Sequence, residues 1–319
     1  MNNGFSMDRR EFLRFMGGAA VFAAFGTLDH KAYSQPVGIF DTHVHIAVND
    51  PVHYPVGPEF ENVGTGIFEI APTAEDYLKL MDAHGIEQAA LIQHDPVYGE
   101  DNSYIADTAA RYPKRMFAVG RLEANKSDAV ETMRYWVNER GLSGFRVNGR
   151  GSSGGKSWIE IPDTMRVWET GMDLKIPLAL LIGGADKEES LAALTRAMKL
   201  VPELQLILDH MGDYSPREDA MQSIDPALLN AADVPNLFIK VSTHNLKRLT
   251  ANGGSARKAI KTLVDSFGAK RIIWGSDIGN SRVSYPEMIA MAKDAFADLS
   301  HADQAMILSG TAKTLYRRA

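Results

Sequence analysis

The chain alternates between two spacings of apolar residues. Short runs rich in Val, Ile, Leu and Phe recur at 38–44, 87–93, 116–121, 143–148, 176–182, 204–209, 236–242 and 270–276. Each has the length of a strand buried on both faces and is bounded by polar or glycine-containing segments. Between them lie stretches with apolar residues at helical spacing, 73–84, 127–140, 187–200, 255–267 and 285–297, with polar starts and glycine-rich ends. Eight strands alternating with helices predict an α/β fold, a (β/α)8 TIM barrel in a single domain over 35–319. The competing open, doubly wound sheet is disfavoured because no Gly-x-Gly-x-x-Gly follows the first run. Two long connections stand out: a loop over 50–73 after the first strand and a glycine- and serine-rich loop from Gly149 to Gly155 after the fourth. Connections of that length are uncommon unless they cover a site.

The first 34 residues break this pattern. Met7-Asp8-Arg9-Arg10-Glu11-Phe12-Leu13-Arg14 precedes a weakly apolar, small-residue run from Phe15 to Leu28, and Ala32-Tyr33-Ser34 offers small residues for cleavage. This looks like a twin-arginine export signal. It implies use of the twin-arginine export machinery, a periplasmic mature protein exported folded, and no stable membrane anchor, because the run is short and contains glycine. The alternative is a basic amphipathic helix that begins the mature fold.

Among 319 residues, 45% are hydrophobic, enough for a large core, and there is no cysteine. Disulfides, thiolate metal sites and cysteine nucleophiles are thereby excluded. A net charge of -6 argues against nucleic acid or an anionic membrane as partner and leaves a small ligand as the expectation. Oligomeric state stays open, a homo-oligomer included.

Chemistry gathers at strand ends. In His43-Val44-His45 the two imidazoles are two residues apart, so on a strand they share a face. Leu206-Ile207-Leu208-Asp209-His210 and Arg271-Ile272-Ile273-Trp274-Gly275-Ser276-Asp277 likewise end apolar runs in polar, ligand-type residues. In a (β/α)8 barrel such endings converge at one rim. His43, His45, His210 and Asp277 together suit one zinc-type divalent ion with an open position for water, and Asp277 is alternatively the base that takes a proton from that water.

The pieces Asp41-Thr-His-Val-His45, Gln93 with Tyr98-Gly-Glu-Asp-Asn102, Gly144-Phe-Arg-Val-Asn148, Leu208-Asp-His-Met-Gly212, Val241-Ser242, Trp274-Gly-Ser-Asp277 and Gly310-Thr-Ala-Lys-Thr-Leu-Tyr316 run in order along the chain. Together they resemble the amidohydrolase-related family, in particular the branch of 2-pyrone-4,6-dicarboxylate lactonase and the sugar and sulfomuconolactone lactonases. The resemblance implies a hydrolase that opens a cyclic ester, with His43, His45 and His210 on a metal or on the lactone carbonyl and Asp277 activating water. That branch is divided on metal, so a metal-free site is the alternative. The fifth strand run, 176–182, ends without histidine, and no strand-end lysine bridges two metals, which argues against a binuclear site and against decarboxylase relatives. Asp213 and Ile278-Gly279-Asn280 depart from the branch's pattern and bear on substrate.

Arginines point to substrate charge. Arg146, with Asn148 on the same face of its strand, is the leading candidate to bind a carboxylate or sulfonate; Arg121 and Arg150 are weighed against a solvated surface role. His94, Tyr54 and His244 are further candidates for substrate contact, and His53 is weighed with Tyr54, while His30, His84 and His301 are assigned to surface or signal. Trp136, Trp158 and Trp168 are read as packing residues. The sequence therefore predicts a hydrolase of a small anionic lactone. A metal-dependent decarboxylase or hydratase of an aromatic-derived acid, and a barrel that binds without turnover, are the alternatives.

Overall fold

Each apolar run forms a strand within two residues of its predicted span: β1 Ile39–Val44, β2 Ile86–Ile92, β3 Met116–Leu122, β4 Gly144–Asn148, β5 Leu178–Leu181, β6 Leu206–Leu208, β7 Leu237–Ser242 and β8 Ile272–Gly275. The computed structural model describes residues 38–148, 152–153, 156–182, 187–212 and 223–316. The proposed signal, Arg150 and Asp213 lie outside them. Neighbouring strands pair in parallel in chain order from β1 to β8. The circle is closed by a seam between β8 and β1: the Asp277 N–H donates to His43 O at 2.8 Å, the His45 N–H to Ile278 O at 2.9 Å, and the Thr42 hydroxyl to Trp274 O at 2.7 Å. The result is a (β/α)8 barrel.

Helices Ala74–His84, Ala129–Asn138, Lys187–Met198, Ala256–Phe267 and Tyr285–Ala295 occupy the predicted stretches. Local chemistry sets several starts. The Thr73 hydroxyl accepts from Asp76 N–H, the Ser255 hydroxyl from Lys258 N–H, and Ser284 with Glu287 forms a capping box. Three further helices of eight residues or more, Ser103–Arg111, Pro162–Asp173 and Thr243–Thr250, were not predicted. The 50–73 connection is not a plain loop either: it contains helical turns at Phe60–Val63 and Thr65–Glu69, too short to leave a periodic signal. In the glycine- and serine-rich region, Ser152–Ser153 pairs antiparallel with Lys156–Ser157. No helix among the described residues is long and apolar enough to cross a membrane.

The barrel interior has two levels. Toward the end where the strands begin, Phe40, Ala90, Phe117, Val119, Ala179, Ile207 and Ile273 form one buried cluster that reaches Ile92 at the end of β2 and is closed from below by Ala312, Leu315 and Tyr316. Phe40 stacks on Phe117 at 5.5 Å and tilts against Tyr316 at 5.6 Å. Above that floor the inward residues turn polar. The change is aided by a bulge in β1: Asp41 pairs with Ala89 and Val44 with Leu91, so three steps on β1 match two on β2. A bulge inserts one residue and reverses the facing of all that follow. Phe40 thus points into the barrel, Asp41 and Val44 point out toward the helices, and His43 and His45 point in again.

Candidate active site

His43, His45, His210 and Asp277 come together at the rim where the strands end, all buried. The Nε2 atoms of His43 and His45 are 3.2 Å apart, and Asp277 Oδ1 lies 3.7 Å from the first and 3.6 Å from the second. The His210 ring centroid is 4.8 Å from that of His43. The expected convergence of the first, sixth and last strands is therefore observed.

The backbone at these positions is forced. His210, Met211 and Asp277 have φ of 52°, 56° and 63°, the left-handed region that L-residues avoid. Strain of this kind persists only where the surroundings over-determine it. At Gly275 an added Cβ would lie 2.4 Å from His43 Cβ, and at Gly279 (φ 95°) it would lie 2.3 Å from His45 O. Only glycine lets the last strand and its loop press this closely on the His43-Val44-His45 segment.

Burial sets the proton states. It pushes His43 and His45 well below the usual imidazole range, helped by Lys240 at His43 and by His94 at His45. It lowers His210 to about 3 despite the opposing Asp209 charge. All three rings are neutral at pH 7. Burial also pushes Asp277 up to about 7, with the Arg146 charge opposing the rise. The His45 Nδ1 lies 3.0 Å from Ile92 O, a contact that only an N–H can make, so its Nε2 presents a lone pair to the cluster. His210 Nδ1 is held at 2.7 Å from Ser242 Oγ, and its carbonyl accepts from Asn245 Nδ2 at 2.8 Å.

This donor set fits a metal. His43, His210 and Asp277 offer ligand atoms all within 4.8 Å of one another, and His45 stands beside them. Neutral imidazoles oriented from behind, joined by one carboxylate, are the ligands a single divalent ion takes.

Two residues to which the sequence analysis gave no role, Asp209 quoted only within its strand-end run and Lys240 not at all, lie directly beneath. Lys240, inward on β7, and Asp209, at the end of β6, are fully buried and 2.8 Å apart. Arg146 Nε is 3.2 Å from the other Asp209 oxygen, and Lys240 Nζ is 3.3 Å from His43 Nδ1. Burial alone would raise the Asp209 pKa; the Lys240 and Arg146 charges reverse this and hold it below the usual range. A lysine at alternate spacing with Phe238 and Ser242 inside an apolar run was the available signal, since an uncompensated charge there would be prohibitively costly.

The remaining candidates spread around the rim. Arg121 is engaged by Glu123 and lies 3.5 Å from Asp95, and Asn148 donates to the same Glu123 at 3.2 Å. His94 is buried with its ring 5.0 Å from His45, and burial lowers it to about 4. His244 lies 6.4 Å, ring to ring, from His210. The Tyr54 hydroxyl instead donates to Asp107 on helix Ser103–Arg111, and the Tyr54 ring packs on Tyr104, which joins it to the helix layer and not to the imidazoles. His53 is solvent-exposed and pairs with Asp50. Trp158 and Trp168 pack together in the core as expected.

Comparison with known proteins follows the same lines. The chain is 24% identical over 216 residues to L-fucono-1,5-lactonase from Burkholderia ambifaria, covering 66% of this chain and 71% of that protein. It is 25% identical over 292 residues to gamma-resorcylate decarboxylase from Rhizobium radiobacter, covering 75% and 86%. Among solved structures, an amidohydrolase from Burkholderia multivorans with bound zinc superposes with a TM-score of 0.66 at 20% identity, over 87% of this chain and 98% of that one. A family model described as Amidohydrolase matches residues 40–318, and the chain belongs to that family.

Proposed function

We propose that this barrel hydrolyses a small lactone. The observation that carries the reading is Asp277: a carboxyl with a pKa near 7, held by a left-handed backbone against neutral imidazoles at the open end of an otherwise sealed barrel. A base with that pKa is half-ionised at neutral pH and has strong proton affinity, the compromise that general-base catalysis favours. Water, deprotonated by Asp277, attacks the lactone carbonyl; the ring C–O bond breaks, and the proton passes to the departing alkoxide. The Arg146 and Lys240 charges beneath the cluster are the available stabilisers of the transient oxyanion. A zinc-type ion held by His43, His210 and Asp277, with His45 alongside, would polarise the carbonyl and lower the pKa of water from about 16 to about 7. Similarity to a fuconolactonase supports the lactone reading.

The substrate's charge is best read from the ion pairs. The sequence favours an anionic lactone, yet Arg121, Arg146 and Lys240 are already paired with the carboxyls of Asp95, Glu123 and Asp209. Arg146 and Arg121 are thus already matched within the protein. Alternating donors and acceptors, such as Arg121, Glu123 and Asn148, suit ring hydroxyls better than a second carboxylate. We therefore favour a hydroxylated lactone over a dianionic one.

Similarity to a decarboxylase over three quarters of the chain sustains a second reading. Product analysis separates the two: proton release from a panel of hydroxylated, sulfonated and carboxylated lactones supports hydrolysis, and carbon dioxide release from hydroxybenzoates supports decarboxylation. The segment Met7 to Arg14 further leads us to propose export to the periplasm by the twin-arginine route, to be checked by fractionating cells with Arg9 and Arg10 intact or changed to Lys.

A further inference from the structure

We infer that Asp41, which lies outside the barrel lumen, is the positioning residue that holds the active-site carboxylate and imidazoles in register. The bulge in β1 turns Asp41 away from His43 and His45 and buries it completely between the sheet and the helices. A carboxylate there is costly, and an apolar residue would serve packing better. What distinguishes its surroundings is four donors on two oxygens. Oδ1 accepts from the Ser276 N–H at 2.8 Å and the His43 N–H at 3.2 Å. Oδ2 accepts from the Tyr285 hydroxyl at 2.9 Å and the Tyr77 hydroxyl at 3.3 Å.

The two backbone donors are the telling ones. One belongs to His43 itself, and the other to the residue immediately before Asp277. A single oxygen thus ties the first strand to the last where no regular ladder joins them, beside Asp277 with its left-handed backbone. The tyrosines, one from helix Ala74–His84 and one from Tyr285–Ala295, lie 3.1 Å apart, hydroxyl to hydroxyl, and fix the other oxygen against the helix layer. Asp41 touches none of the reacting positions, so its action runs through His43 and Asp277.

The inference rests on the proposed function only in taking the cluster as the working site, and its test needs no substrate. Crystal structures and Zn²⁺ affinities, the latter by competition with a chromophoric chelator, are compared for the parent, Asp41→Ala and Asp41→Asn. Asp41→Ala is expected to lengthen the 3.6 Å contact between Asp277 and His45 and to weaken Zn²⁺ binding about 10- to 100-fold, as loss of supporting contacts behind a ligand does. Asp41→Asn should restore most of both, because its amide oxygen can accept both N–H groups while its NH₂ donates to a tyrosine oxygen. A folded Asp41→Ala protein with the seam unmoved and parental Zn²⁺ affinity would overturn the inference, even if its melting temperature fell. Should Asp41→Ala not fold, Tyr77→Phe/Tyr285→Phe removes the two hydroxyls without opening a cavity. A smaller displacement of the same contact is then expected, and an unchanged seam overturns the inference. If the parent binds no Zn²⁺, the crystal structures alone decide. Failure to hydrolyse any lactone would sink the proposed function and leave this result standing.

Discussion

The two ends of this barrel are made by the same strands and the same alternation, yet hold opposite contents. At the starting end, Phe40, Phe117, Val119, Ile207 and Ile273 fill the lumen with hydrocarbon and Tyr316 closes it. Two or three residues further along, the inward positions are His43, Arg146, Lys240 and Ser242, joined at the rim by His210 and Asp277. The first level follows the rule that interiors are apolar; the second breaks it with charges that must be paired to be tolerated. Stability and chemistry are thus separated along the strand direction, as expected in barrels whose active sites occupy the C-terminal face.

Three experiments sharpen that contrast. The largest stability effect should come from the polar level. Lys240→Met leaves Asp209 buried with only Arg146 as counter-charge and is expected to cost about 3–5 kcal/mol in chemical denaturation, whereas Lys240→Met/Asp209→Asn should recover much of the loss. If the double variant is no more stable than the single one, the pair is not the source of the cost.

Next comes pH. With metal removed by a chelator, the hydrolytic rate should fall about tenfold per unit below pH 7 as Asp277 takes up a proton. The stability sign is opposite: a carboxyl raised from its ordinary value stabilises the fold fully below about pH 4, and that contribution is lost as pH rises through 7. A rate flat from pH 5 to 8 would show that Asp277 is not the group that titrates.

The smallest effect should come from the hydrocarbon level, where Ile207→Val removes one buried methylene from a sealed layer, costing about 0.5–1.5 kcal/mol with kcat and KM unchanged. A changed KM would mean that the floor shapes the substrate pocket.

The sequence carried the fold well because strand runs such as 116–121 and 236–242 are long, apolar and regularly spaced. His43, His45, His210 and Asp277 were legible because each ends such a run. Three things were not. Asp41 shares the spacing of His43 and His45, so strict alternation would place all three on one face; the bulge that separates them is a backbone event without a clear residue signature. Lys240 was hidden, and Asp209 carried no role of its own, because a charge in or at the end of a strand run has meaning only once its partner, distant in sequence, is known. Tyr54 sits close in sequence to the first-strand histidines, but the turn at 50–54 sends its hydroxyl to Asp107.

The central claim is that Asp277 activates water at this rim. The most direct test is base consumption in a pH-stat on a hydrolysed lactone by the parent and by Asp277→Asn, with thermal unfolding measured in parallel. Asparagine tolerates the left-handed backbone and cannot act as a base, so the account predicts an unchanged or higher melting temperature with a rate lowered about 10²- to 10⁴-fold. Hydrolysis by the folded variant at the parental rate would contradict it.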